Sequence, residues 1–310
     1  MQTYIERACQ VLELQPRARG CDTPINAAID PESGPLTPKE LKKFLTGLGM
    51  LGWLAQTGRP DVAYCYSRIG QHSATPSRSA LAALLRAFQY LLQYKTLSLS
   101  APFSMPDRHL SYEVGPSSGG AQNWSEGHPN PETAFRFYTD SDHAGNAEIQ
   151  NRRRSQNGLI IVYNGAPVYW QSKASSVTFA CADIGEAHAD MSSAAVEIYA
   201  AGNATMDILG YSYVVEELGL EIDKPFHLEI DNDAAKIWSR GTGGRTKLKH
   251  IDCRQEWVLT LRDKNIVKPV HINTDLNRAD LFTKILPTKV FQSHRDALMK
   301  PCDMENSSPA

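Results

Sequence analysis

The 310-residue chain lacks the features that mark several protein classes. Its six cysteines (Cys9, Cys21, Cys65, Cys181, Cys253 and Cys302) form no C-x-x-C pair. That spacing argues against a disulfide framework or a zinc site and predicts free thiols in a reducing compartment. No apolar run reaches the roughly 18–20 residues that a membrane span needs. The N-terminal stretch carries Glu6 and Arg7 and has no long apolar core, so it does not read as a secretory signal. Net charge is only −2, and affinity for a polyanion must come from a local basic patch. No G-x-S-x-G elbow and no Cys with a matched His partner offers a side-chain nucleophile. The expectation is an intracellular, soluble chain, cytoplasmic or nuclear, with no membrane partner.

Apolar residues at 42% and charged residues at 21% describe a globular composition, and the length allows two domains. The stretch "SRSALAALLRAFQYLLQY" (77–94) places Leu81, Leu84, Leu85, Phe88, Leu91 and Leu92 at steps of three and four, the pattern of an amphipathic helix with Ser77 as N-cap. Residues 37–58 also read as helix, against three interior glycines. Residues 111–134 are rich in Gly, Pro, Ser and Asn and read as a linker. Beyond them, "AFRFYTDSD" is a strand, and two more strands flank the turn signal Asn164-Gly165. A long helix over roughly 192–218 follows. Then come a strand into a helix at 224–241, a helix at 249–265, a strand at 266–273 and a last helix at "NRADLFTKIL". Three consecutive strands followed by alternating helix and strand predict a mixed sheet with helices packed on it.

The acidic residues carry the chemistry. In a strand, residues two apart share a face, so Asp140 and Asp142 of "YTDSDHAG" point the same way. Asp231 ends a second apolar-alternating strand, "HLEIDNDAA". Glu197 is placed in the first turn of the long helix, and Asp280 at the start of the last one. Each position alone suits a turn or helix cap. Together, two strand ends and two helix starts can bring four carboxylates to one sheet edge, where they repel unless cations neutralise them. Carboxylate oxygens suit Mg²⁺ or Mn²⁺, and a pair of such ions suits phosphoryl displacement.

The segments "YTDSDHAG", "RRRSQNG", "VYWQSK", "SSAAVEIYAA", "IDNDAAKI", "RTKLKHIDCRQEWV" and "NRADLFTKILP" occur in the order seen in copia-type retrotransposon polyproteins. Residues 135–298 resemble the ribonuclease H domain of those polyproteins. Residues 36–100 resemble the stretch between the polymerase core and that domain. The resemblance implies a ribonuclease H-like α/β fold, with three antiparallel then two parallel strands and flanking helices, preceded by a smaller, mainly helical segment. It divides the chain into a reverse-transcriptase C-terminal remnant (thumb or connection-like, 1–110), a linker (111–134), a ribonuclease H-like domain (135–300) and a disordered tail (301–310). It implies cleavage of the RNA strand of an RNA/DNA hybrid, with two Mg²⁺ (or Mn²⁺) held by Asp140, Glu197, Asp231 and Asp280 and with Asp142 in support. No tyrosine-x-Asp-Asp motif occurs, so no polymerase activity is expected from this chain. The missing polymerase part of the polyprotein is a possible partner.

Other residues border this reading. His271 lies nine positions before Asp280, about where related ribonucleases carry a mobile histidine, and is a candidate proton shuttle or an ordinary strand residue. Arg240, Arg245, Lys247, Lys249, His250 and Arg254, with only Asp252 opposing them, form a candidate phosphate-binding stretch. Arg152, Arg153 and Arg154 form a second basic patch, while Trp170, Trp238 and Trp257 read as core or ridge residues. Two departures from the family stand out. One of two glutamates usual at the helix start is missing, and 174–191 is longer than the usual connection and contains Glu186, which competes with Glu197. These favour, as an alternative, a catalytically inactive nucleic-acid-binding or structural module. A transposase or integrase of the same superfold is a third reading, opposed by the four-carboxylate order and the lack of His/Cys clustering.

Overall fold

A computed structural model of the chain describes residues 1–14, 20–99, 135–142, 154–163, 165–178, 192–219, 224–231 and 249–301. The N-terminal part is built from α1 (Gln2–Val11), α2 (Pro38–Thr57), α3 (Ala63–Gly70) and α4 (Arg78–Gln93), followed by the short strand β1 (Leu97–Leu99). Helix α2 starts where its sequence demands. The Thr37 hydroxyl accepts from Glu40 N at 3.3 Å, Glu40 Oε2 accepts from Thr37 N at 2.8 Å, and Pro38 takes the first helical position. Ser77 caps α4 in the same way, accepting from Ala80 N. The glycines of α2 do not break it. At Gly52 an added Cβ would stand 2.7 Å from the Tyr66 ring of α3, so the small residue serves close helix packing.

The sheet consists of β2 (Phe135–Asp142), β3 (Arg154–Tyr163), β4 (Ala166–Thr178), β5 (Phe226–Ile230) and β6 (Val267–His271), in the order β4-β3-β2-β5-β6. Strand β3 is antiparallel to β2 and β4, while β5 is parallel to β2 and β6 is parallel to β5. Gly165, at φ 81°, supplies the left-handed turn between β3 and β4. Helix α5 (Ser192–Glu217) precedes β5, and α6 (Lys249–Asp263) lies between β5 and β6. Helix α7 (Thr288–Leu298) leads into β7 (Met299–Pro301), which pairs antiparallel with β1. This is the ribonuclease H-like arrangement of three antiparallel and two parallel strands that the motifs implied.

Alternation along the strands gives the sheet two buried faces. Phe137, Leu159, Ile161, Phe226, Leu228 and Ile230 pack with Ile198, Ile208, Val258 and Leu261 of α5 and α6. Tyr138, Ile160, Val162 and Ile272 share a core with Phe44, Leu51, Leu84 and Phe88 of the N-terminal helices. A sheet whose central strands are covered on both faces is the expected setting for parallel pairing. Polar links cross the second layer too: Trp170 Nε1 donates to Ala55 O at 2.6 Å, and Gln156 Nε2 to Ser67 Oγ at 2.9 Å. Fully buried Arg59 holds Asp61 with two hydrogen bonds at 2.9 and 2.7 Å, and Tyr90 donates to the same carboxylate at 2.7 Å. The Tyr90 ring meets Phe291 of α7, so the network joins both ends of the described chain.

Several local expectations change. "NRADLFTKIL" is not one helix: a 3-10 turn covers Arg278–Phe282, and α7 starts only at Thr288. Pro287 separates α7 from what precedes it, since its missing N–H and the restriction it puts on Leu286 would end any helix by residue 285; the turn itself already ends at Phe282, with Thr283 out of the helical region. Helix α5 begins at Ser192, so Glu197 stands in its second turn rather than its first. Strand β4 runs on to Thr178, taking up the first five residues of the expected insert. β7 reaches Pro301, the residue assigned to the tail. Trp170 packs beside the core, whereas Trp257 is 42% exposed. The linker 111–134, the helix expected after Asp231, Trp238, Arg152, Arg153 and Glu186 lie outside the described residues.

His227 yields a pH prediction. It is buried in β5, with Arg136 of β2 and Lys268 of β6 as its register partners. Burial, then the charges of Lys268 and Arg136, push its imidazole down to about 4. The fold favours the neutral ring, so protonation of the unfolded chain below about pH 6.5 removes stability until the folded His227 itself titrates. Urea unfolding of the native chain and of His227→Gln should diverge between about pH 6.5 and 4, the native chain losing more, and run parallel above that window.

Candidate metal centre

The site forms where two strand ends meet the 3-10 turn. Tyr138, Glu229 and Asp140 lie on the sheet face opposite Phe137 and Leu228, and the same alternation carries Asp231, just past β5, to the face of Asp140. The turn Arg278–Phe282 brings Asp280 to them. Carboxylate oxygens of Asp140, Asp231 and Asp280 lie within 4.8 Å of one another. Asp140 and Asp280 are each only 4% exposed.

Four contacts set the turn in place. Asn277 is buried and donates from Nδ2 to Thr139 O at 3.1 Å, while its Oδ1 caps the turn by accepting from Ala279 N at 3.1 Å. Ser172 Oγ of β4 donates to Phe282 O at 2.6 Å. The Thr283 hydroxyl donates to Asp140 Oδ2. Gly158, the β3 residue opposite Asp140, permits the approach. A Cβ there would lie 2.8 Å from Ala279 O, 2.8 Å from Thr283 Cγ2 and 2.9 Å from Phe282 Cβ.

Burial and mutual repulsion dominate the electrostatics. Burial, then the charge of Asp140, pushes Asp280 up to about 8, and the same two causes raise Asp231. Lys284 opposes them. Its Nζ lies 2.9 Å from Asp280 Oδ1 and 3.6 Å from Asp140 Oδ2. Burial works against its charge, but Asp140 and Asp280 more than offset that and raise its pKa. Asp280 Oδ1 is buried, and the ammonium of Lys284 is its close partner. Three carboxylates with oxygens within 4.8 Å of one another, two of them buried, are a donor set that fits a hard divalent cation.

The other sequence candidates fall in different places. His271 pairs with Ile230 at the end of β6 and shares its face, the side away from Asp231. Asp142 ends β2 opposite Gln156 and keeps the period-two relation to Asp140. Arg254 of α6 is turned to α5, donating to Asn203 Oδ1 at 2.5 Å with its guanidinium 4.1 Å from the Tyr199 ring centroid. Glu197, Lys249 and His250 are placed as helical positions, but their side chains are outside the described residues, as are Arg240, Arg245 and Lys247 altogether. The sequence reading missed Asn277, Thr283, Lys284 and Gly158. A usable signal existed: Asp280, Thr283 and Lys284 stand at i, i+3 and i+4, positions that share one side of a helical turn.

Fold and site together define a ribonuclease H-like α/β unit with an acidic centre, packed on a helical N-terminal part. No family model matches the chain. It is 28% identical over 158 residues to the retrovirus-related Pol polyprotein from transposon TNT 1-94 of Nicotiana tabacum, a match covering 51% of this chain and 11% of that one. It is 23% identical over 246 residues to the Pol polyprotein from transposon RE1 of Arabidopsis thaliana, covering 79% of this chain and 14% of that one. A putative transposon Ty5-1 protein of Saccharomyces cerevisiae is 27% identical over 135 residues, or 44% of this chain and 34% of that one. Among solved structures, LC11-RNase H1 in complex with an RNA/DNA hybrid aligns at 16% identity and a TM-score of 0.31, over 48% of this chain and 93% of that one. The chain is therefore homologous to Pol polyproteins of plant and yeast transposons and spans a small part of the plant ones.

Gly158→Ala tests the construction of the site. Two of the three atoms its Cβ would meet belong to backbone or to a Cβ, so the turn must shift. The expected cost is about 1–3 kcal/mol of stability, measured by urea unfolding, with weaker Mn²⁺ binding in isothermal titration calorimetry.

Proposed function

We propose that this chain is a metal-dependent endonuclease that cleaves the RNA strand of RNA/DNA hybrids. The observation that carries the reading is the convergence of Asp140, Asp231 and Asp280 at the end of a mixed sheet. Homology to Pol polyproteins supports the context, and residues 1–110 are read as the remnant that joins this domain to a polymerase.

In this reading Asp140, Asp231 and Asp280 hold Mg²⁺ or Mn²⁺, and Glu197 of α5 completes the set. Divalent ions there supply Lewis acidity, which makes water a stronger nucleophile and offsets charge building on phosphate oxygens. The chain's own groups do the rest. Thr283 orients Asp140, and Asn277 holds the turn that presents Asp280. Arg240, Arg245, Lys247, Lys249 and His250, with Arg152–Arg154, hold backbone phosphates while Arg254 stays on α5, and the hybrid is selected by its 2′-hydroxyl groups across a shallow minor groove. His271, which shares the face of Ile230 and points away from Asp231, takes no part in this reading. The working compartment is intracellular and reducing.

The alternative is a hybrid-binding module without cleavage, favoured by one observation: the Lys284 ammonium already occupies the side of Asp140 and Asp280. The deciding experiment uses the full chain with an end-labelled RNA/DNA hybrid and Mg²⁺ or Mn²⁺. Cutting of the RNA strand alone, reduced by about 100-fold or more in Asp140→Asn and in Glu197→Gln, is the expected result. Hybrid binding with no cutting at either metal would select the inactive module.

A further inference from the structure

We propose that Lys284 is the resident cation of the three-aspartate centre, a positioning residue that a divalent metal must displace from beside Asp140 and Asp280. The inference rests on the metal-centre reading above and adds a group to it. The ammonium lies 2.9 Å from Asp280 Oδ1 and 3.6 Å from Asp140 Oδ2, on oxygens from two of the three carboxylates that a metal would need. An ammonium and a divalent ion cannot share those positions without strong like-charge repulsion.

Lys284 is built to be moved. Its side chain is 35% exposed, against 5% for each carboxylate it contacts, so the long stem has a route to solvent that the aspartates lack. Its hold on Asp280 is one ion pair at 2.9 Å, made from the end of a flexible four-carbon stem. Asp140 is not set free when the lysine leaves, because the Thr283 hydroxyl still donates to its Oδ2. Asn277 likewise keeps the turn on β2 through Thr139 O. Thr283 and Lys284 thus divide two tasks. One keeps Asp140 oriented in either state, and the other neutralises the cluster only while no metal is bound.

The test compares the full native chain with Lys284→Met and Lys284→Arg, with folding checked by circular dichroism. Mn²⁺ binding is read by electron paramagnetic resonance, and melting is followed with EDTA or saturating Mn²⁺. Lys284→Met should melt lower than the native chain in EDTA, bind Mn²⁺ with a Kd lower by about tenfold and show a larger metal-induced rise in Tm. Lys284→Arg should stay near the native values. A folded Lys284→Met that binds Mn²⁺ no more tightly than the native chain would overturn the inference and leave the metal centre standing. No Mn²⁺ binding by any of the three chains would overturn both. A measurement on the native chain alone guards against a variant that does not fold. Acetylation of Lys284 by an N-hydroxysuccinimide ester, followed by peptide mass spectrometry with Lys268 as reference, should speed up several-fold on adding Mg²⁺. An unchanged rate at saturating Mg²⁺ would also overturn the inference.

Discussion

The close approach of the Arg278–Phe282 turn to Gly158 is the constraint on which the acidic centre depends. Without a side chain at that point of β3, the carbonyl of Ala279 and the Thr283 methyl can settle onto the strand. The approach brings Asp280 from the far end of the chain beside Asp140, and it lets Thr283 and Lys284 reach the same carboxylates. Three acids so close together, two of them buried, would drive a loosely held turn away. Asn277 and Ser172 resist this with hydrogen bonds to backbone carbonyls, or from strand to turn, that do not depend on the charge state of the site. The result is an unfavourable electrostatic cluster held by favourable packing, which is how sites for hard cations are pre-organised.

The sheet supports this through its two covered faces. One face meets α5 and α6, and the other meets the N-terminal helices, which contribute much of the core that Tyr138, Ile160 and Val162 enter. Pairing of β1 with β7 and the contact of Tyr90 with Phe291 bring residues near position 95 against residues near position 300. Buried Arg59 and Asp61 add a charged pair inside that second layer. Such a pair favours one arrangement of the helices, because removing either partner leaves an uncompensated charge in the core. The helical part is therefore a layer of the same packed body as the sheet in the described residues, and the acidic centre faces the side that this layer covers.

Much of this was legible along the chain because it rests on short-range rules. The steps of three and four in 77–94 became α4, with Ser77 as its cap, and Thr37 and Glu40 opened α2 despite the glycines behind them. The two-residue alternation of "FRFYTDSD" and "FHLEI" set the faces of β2 and β5, and with them the shared side of Asp140 and Asp231. The last segment was misread because "NRADLFTKIL" has helical composition, while its turn is held by partners distant in sequence, from Asn277 to Thr139 O and from Ser172 to Phe282 O. The exposed Trp257 shows the same limit: an aromatic residue on a helix says nothing by itself about which side of that helix is covered.

By itself, the sequence determined the strands of the sheet and the longer helices, and the order of motifs that ties the chain to transposon polyproteins. It also marked three aspartates that stand at or near the ends of elements. Those properties follow from backbone periodicity and local capping, which are written in neighbouring residues. Only the tertiary structure decided that His271 faces away from Asp231 and that Arg254 is held by α5. It alone decided that Lys284 lies against two of the three acids. Each of these depends on the register between strands distant in sequence or on the reach of a long side chain across a gap. Pair distances of that kind are fixed by packing, not by spacing along the chain.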